Sequence, residues 1–119
     1  MYDTELTTQI IGYFLWKAGG AMPYLKILKL VYLADRKALL DIGETLTGDA
    51  YSAMKLGPVP YYTYNSLKQD KFDSQWLEHK KFDVRLKKEV NSNDPLDTFE
   101  LLSPIMQSIL DSIWDQYGN

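Results

Sequence analysis

From Tyr24 to Asp41 the chain contains neither proline nor glycine, and this unbroken stretch, bounded by Pro23 and Gly43, most constrains what the chain can fold into. Proline suits a first helical position and glycine a helix end, so the pattern predicts a helix of about five turns. Its middle, Ile27 to Ala34, is apolar almost all round, which predicts a helix placed centrally in a core. At about 100° per residue, Lys26, Lys29, Arg36 and Lys37 share one side with Leu33, while Tyr24, Leu28, Val31, Leu39 and Ile42 share the other. Asp35 falls on that second, core-facing side. A carboxylate there is costly unless it is paired or hydrogen-bonded, so Asp35 is expected to have a specific partner.

The remaining elements follow from periodicity and punctuation. Leu6, Ile10 and Phe14 recur at helical spacing between Asp3 or Thr4, available as N-cap, and Gly19-Gly20, which predicts a helix over residues 4–18. Residues 44–48 read as a polar loop, 51–55 as a short extended piece, and Gly57-Pro58-Val59-Pro60 as a turn leading into a third helix over residues 59–68. Phe82, Val84 and Leu86 alternate with Asp83, Arg85 and Lys87, the period of a strand with one wet face. After the turn residues Asn91-Ser92-Asn93-Asp94-Pro95, residues 98–102 can return beside that strand as a hairpin. Ser103-Pro104, an N-cap followed by proline, opens a last helix with the stripe Ile105, Ile109 and Ile113 that ends at Gly118. The expected class is α+β: one predominantly helical domain over residues 1–119, with a central apolar helix and a small antiparallel β-hairpin.

At 119 residues the chain is long enough for one core and too short for two. Hydrophobic residues make up 45% and charged residues 24%, a globular balance rather than a disordered one. The formal charge of −3 weakly repels a phosphate backbone, so nucleic acid is not the expected partner. There is no cysteine, which removes disulfides and thiolate chemistry. No apolar run approaches the ~20 residues of a membrane span, and the start Met1-Tyr2-Asp3-Thr4-Glu5 is unlike a signal peptide, so a cytoplasmic location is expected.

Catalytic and metal chemistry find little to work with. The single histidine, His79, lies among Glu78, Lys80 and Lys81 and is expected to be solvated rather than a catalytic base. One histidine without cysteine cannot supply a zinc site, and neither phosphate-binding glycine fingerprint is present. Asp35, Asp41, Glu44 and Asp49 are close enough in sequence to consider as paired carboxylates, but their spacing matches no ligand pattern. No cofactor is expected. The distinctive feature is aromatic: nine tyrosines and three tryptophans, with Tyr61, Tyr62 and Tyr64 crowded at the start of the third helix. Such residues either finish a small core or form an interface, and helical spacing sends Tyr62 away from Tyr61 and Tyr64, so at least one is expected in solvent. Lys29 and Arg36 belong to a basic face that is either simply solvated or matched to an anionic partner surface.

Three blocks carry a family resemblance. Residues 28–36 (Leu-Lys-Leu-Val-Tyr-Leu-Ala-Asp-Arg), then Thr47-Gly48-Asp49, then residues 51–60 (Tyr-Ser-Ala-Met-Lys-Leu-Gly-Pro-Val-Pro) resemble, in order and spacing, the central signature of the SocA-like antitoxin family, also called the Panacea domain. Leu101-Leu102-Ser103 before a helix closing on Trp114, Tyr117 and Gly118 is similar to its later segment. The resemblance implies a bacterial or phage-encoded protein that is not an enzyme and that neutralises a toxin, encoded by the adjacent gene, through protein contact. It leaves open a phage accessory protein that binds a host factor, a DNA-binding autoregulator and a homo-oligomer. It marks Asp35, Asp49, Tyr51, Met54, Lys55, Gly57 and Pro58 as signature positions, with Asp35 expected to accept hydrogen bonds from the loop between Asp49 and Gly57 and so to serve as scaffold. The family pattern continues beyond the closing Tyr-Gly, whereas this chain ends at Asn119, so a short or truncated member is expected.

Overall fold

The structure, a computed structural model, describes residues 1–54 and 57–119. The order is α1 (Thr4–Lys17), β1 (Ala21–Pro23), α2 (Tyr24–Ile42), β2 (Tyr51–Met54), β3 (Gly57–Pro60), α3 (Tyr61–Lys68), β4 (Leu77–His79), β5 (Asp83–Leu86), α4 (Pro95–Thr98) and α5 (Pro104–Tyr117). The class is α+β and mainly helical, as expected.

Helix ends follow the local chemistry. Asp3 caps α1 by accepting from the Leu6 amide at 3.0 Å, and Ser103 caps α5 by accepting from the Met106 amide at 3.2 Å. Helix α2 stops where Gly43 adopts φ 80° and its amide returns to the Leu39 carbonyl, a left-handed end that glycine takes without strain. That reversal sends the following loop back along α2 past Asp35.

Burial is deepest in α1, where every residue from Leu6 to Leu15 is buried. Helix α2 packs against α1, α3, α5, β1 and β3, yet it is amphipathic, and its last four residues are exposed. Leu39 and Ile42, expected on the core side, are exposed there. Phe99, fully buried, meets the Tyr13 ring edge-on with ring centres 5.5 Å apart and also packs on Trp76. Gly12 permits this, because a Cβ at that position would stand only 3.0 Å from the Phe99 ring.

The strand at residues 83–86 finds other partners than the expected ones. Strand β5 pairs antiparallel with β4 (Leu77↔Leu86, His79↔Val84) and with β1 (Ala21↔Arg85, Pro23↔Asp83), giving the order β1-β5-β4. Residues 98–102 are not a strand: Pro95–Thr98 form a helical turn, after which Phe99 plugs the core. Proline at the first helical position favours that turn over an extended return. Of the alternating trio only Val84 is buried, while Phe82 precedes β5 and is exposed. The Gly57–Pro60 segment is itself a strand, paired antiparallel with β2 (Tyr51↔Pro60, Ala53↔Pro58), so α3 starts at Tyr61 rather than Val59. Proline is tolerated there because a two-stranded ladder leaves every strand at an edge.

Candidate interaction site

Two buried carboxylates tie α2, the loop after it and α3 together. Asp35, 1% exposed, accepts from the backbone amides of Leu46 (2.8 Å) and Thr47 (3.0 Å) on Oδ1. Its Oδ2 accepts from the hydroxyls of Thr47 and Tyr51, both at 2.5 Å. Four donors therefore compensate the buried charge. Tyr51 lies within the expected stretch between Asp49 and Gly57, whereas Leu46 and Thr47 lie upstream of it, because the chain passes Asp35 directly after its reversal at Gly43. Burial first, and then the negative charge of Asp35, hold the Tyr51 hydroxyl well above its ordinary value of 10.0.

Asp49 performs a different task. Its Oδ1 accepts from the Tyr62 amide at 2.8 Å, and its Oδ2 from the Thr63 amide at 3.0 Å and the Thr63 hydroxyl at 2.7 Å. The N-cap of α3 is Pro60, which has no side-chain acceptor, so Asp49 satisfies the helix's free amides from a distance in sequence and sets its charge against the positive end of the helix dipole. Thr47 links the two carboxylates: its hydroxyl donates to Asp35 and accepts from the Asp49 amide at 3.0 Å. The Thr63 hydroxyl uses its one hydrogen in donating to Asp49, so the Tyr2 hydroxyl, 3.0 Å away, donates to it. Burial, ahead of other causes, raises the Tyr2 hydroxyl above its ordinary range.

The loop between the carboxylates leaves no room for a side chain at Gly48. It sits at φ 71° against the backbone of Met1 and Tyr2, while the Asp3 amide donates to the Thr47 carbonyl at 2.9 Å. Tyr2, Thr47 and Thr63 were missed by sequence reasoning. Thr47 stood in the Thr47-Gly48-Asp49 block without a role of its own, whereas nothing local marked Tyr2 or Thr63.

Above this network the aromatic cluster divides. Tyr61 and Tyr62 are exposed, 47% and 46%, with rings edge-on at 5.2 Å, and Tyr2 lies 5.4 Å from Tyr62 on its other side. Tyr64 turns toward the body and packs against the core, with the Lys68 ammonium over its ring. Gly57 is half-buried at φ 114°, and Pro58 is exposed beside it. Lys55 and the side chain of Met54 lie outside the described residues.

On the outer side of α2 the basic residues also divide. Lys26 donates to the Gly118 carbonyl and lies over the Trp114 ring, and Lys37 pairs with Asp41 at 2.9 Å. Lys29 and Arg36 are exposed and form no ion pair among the described residues.

His79 is not solvated as expected. Its side chain is only 9% exposed, with Nε2 3.3 Å from an Asp70 carboxylate oxygen yet not aligned for a hydrogen bond. Strand β4 brings it inward because its neighbour in the ladder is buried Val84. An open cleft of about 580 Å³ runs along α5, lined by polar side chains including Gln107, Asp111 and Asp115, away from Asp35 and Asp49. Among the described residues, no three His, Asp or Glu side chains gather as a metal site, and none of the helices is long and apolar enough to cross a membrane.

Comparison with curated proteins and with solved structures returned no match. Residues 27–119 match the family model described as Antitoxin SocA-like, Panacea domain; this span contains α2 from Ile27 onward, the Asp35 and Asp49 carboxylates with all their donors, and the Tyr61-Tyr62 pair, and the chain belongs to that family.

Proposed function

We propose that this chain is the antitoxin of a two-gene toxin–antitoxin pair, that it acts in the cytoplasm, and that it neutralises the toxin encoded beside it by stoichiometric binding, without catalysis of its own. The observation that carries this reading is the pair of exposed tyrosines, Tyr61 and Tyr62, on a helix whose first turn is held by a buried carboxylate. Tyrosine offers a large contact area at low entropic cost, and an anchored helix start presents it in one orientation. In this reading Asp35, Asp49, Tyr51, Gly57 and Pro58 shape the scaffold, while Tyr61, Tyr62, Lys29 and Arg36 meet the partner and Tyr64 supports them from the body. Both carboxylates are occupied by protein donors, which favours a structural role for them over acid–base work.

The test is to express the adjacent reading frame alone and together with this chain, recording growth and then co-purification through a tag on one partner. Growth arrest relieved by co-expression, with a stable complex recovered, is the expected result. A harmless neighbour that forms no complex refutes the antitoxin reading.

A further inference from the structure

The outward arc of α2 is unlike an ordinary solvent face. Leu25, Lys29, Tyr32, Arg36 and Leu39 recur at intervals of four, three, four and three residues, the spacing of a coiled-coil seam, and Leu40 flanks them. Exposed helix faces of globular domains are normally polar, whereas this one is apolar at both ends, with Leu25 64%, Leu39 53% and Leu40 75% exposed. Between those ends stand two cations, Lys29 and Arg36, which form no ion pair among the described residues, and the arc carries no carboxylate. At ~1.5 Å per residue the stripe from Leu25 to Leu40 spans about 22 Å, with the cations about 10 Å apart along the axis. Tyr32, at its centre, is half-buried and packs edge-on against Tyr51, whose hydroxyl is fixed to Asp35, so the middle of the face is firm.

We infer that this face docks an acidic amphipathic helix of the partner, with leucine-sized side chains at its ends and two carboxylates about seven residues apart that meet Lys29 and Arg36. The inference rests on the antitoxin reading and adds where and how the partner is recognised. A second copy of this chain does not fit: antiparallel pairing of two such faces sets Lys29 against Arg36, and parallel pairing sets each cation against itself. Nucleic acid fits poorly, because two free cations between exposed leucines neutralise few phosphates and the chain carries a net charge of −3.

The test measures affinity for the neighbouring gene product in four forms of the full chain: the unaltered protein, Lys29→Glu with Arg36→Glu, Leu25→Ser with Leu40→Ser, and the charge-matched control Lys71→Glu with Arg85→Glu. Each α2 pair is expected to weaken binding about tenfold or more, with the control close to the unaltered protein and the unaltered complex weakening as salt rises. All altered residues are exposed, and thermal melts confirm folding; should the glutamate pair fail to fold, Lys29→Gln with Arg36→Gln takes its place. A complex that tolerates both α2 pairs overturns this surface while leaving the antitoxin reading intact. Equal loss in the control points to bulk charge and also overturns it. If the unaltered chain ignores its neighbour, the antitoxin reading falls and takes the assigned partner with it. Salt-sensitive binding of promoter DNA that Lys29→Glu with Arg36→Glu abolishes would replace the acidic helix with nucleic acid.

Discussion

Replacing Asp35 with alanine removes the acceptor for four donors at once: the amides of Leu46 and Thr47 and the hydroxyls of Thr47 and Tyr51. The hydroxyls can rotate toward other acceptors, but the two amides are fixed by the loop. A buried donor left without a partner costs about 1–3 kcal/mol, so the two amides alone predict a loss of about 4 kcal/mol, less whatever water recovers. For a domain of this size each kcal/mol moves the melting temperature by about 3–5 °C, which gives a fall of about 12–20 °C. Asp35→Asn keeps one acceptor oxygen and is expected to lose about half as much. The assay is urea unfolding followed by tryptophan fluorescence, paired with thermal melts of both variants. An Asp35→Ala protein with an unchanged midpoint would refute the reasoning. One that melts normally while losing its partner would transfer Asp35 from scaffold to contact surface.

Asp49→Ala should cost about 1–2 kcal/mol, the usual effect of losing a helix cap, and should speed hydrogen exchange at the Tyr62 and Thr63 amides more than in α5. Gly48→Ala should cost about 1–3 kcal/mol, because φ 71° strains any other residue and the new Cβ would overlap the Met1 carbonyl, so chemical denaturation should show a lower midpoint. Alkaline pH provides a third test. The folded state holds the Tyr51 proton above its ordinary value of 10.0 while the unfolded chain releases it near that value. The stabilisation is therefore complete below about pH 10 and declines as pH rises beyond it. Tyr51→Phe should start less stable at neutral pH and lose less between pH 9 and pH 11; an equally steep decline would assign the effect elsewhere, Tyr13 being the next group held high by burial.

How much of this was legible follows from the range of each signal. Helices α1, α2 and α5 announced themselves within their own windows, through apolar spacing and through Asp3, Gly43, Ser103 and Pro104 at their ends, and the observed bounds differ from the expected ones by a residue or so. The need for donors at Asp35 was also legible, because one carboxylate on a core-facing arc is a local conflict. Which donors satisfy it depended on a loop reversal that the polar run after Gly43 does not specify. Strand pairing was the least legible. Val84 and Leu86 mark a strand by alternation, but its neighbours, Ala21–Pro23 and Leu77–His79, are too short to show a period, and the choice between them and residues 98–102 was made by Phe99 entering the space above Gly12. His79 was misjudged for the same reason, since its charged neighbours in sequence are not its neighbours in the sheet.

The family match begins at Ile27 and leaves out α1, although α1 is the most deeply buried helix. Inside and outside the matched span the interior is held by different means. Most of what α1 buries is apolar packing, and such positions accept many combinations of side chains of suitable volume, so they leave little that a sequence pattern can hold on to. The Asp35 and Asp49 network is different, because each member demands a particular donor or acceptor at a particular place, and every side chain in it except Tyr2 lies inside the matched span. Tyr2 shows how the two parts join: the segment outside the match donates the last hydrogen bond of the chain running from Asp35 through Thr47, Asp49 and Thr63. The same network fixes the surface, since Tyr51 braces Tyr32 on the outer face of α2 while Asp49 holds the turn that presents Tyr61 and Tyr62. A partner that touches either face therefore meets side chains whose positions are set by two buried carboxylates it does not itself need to contact.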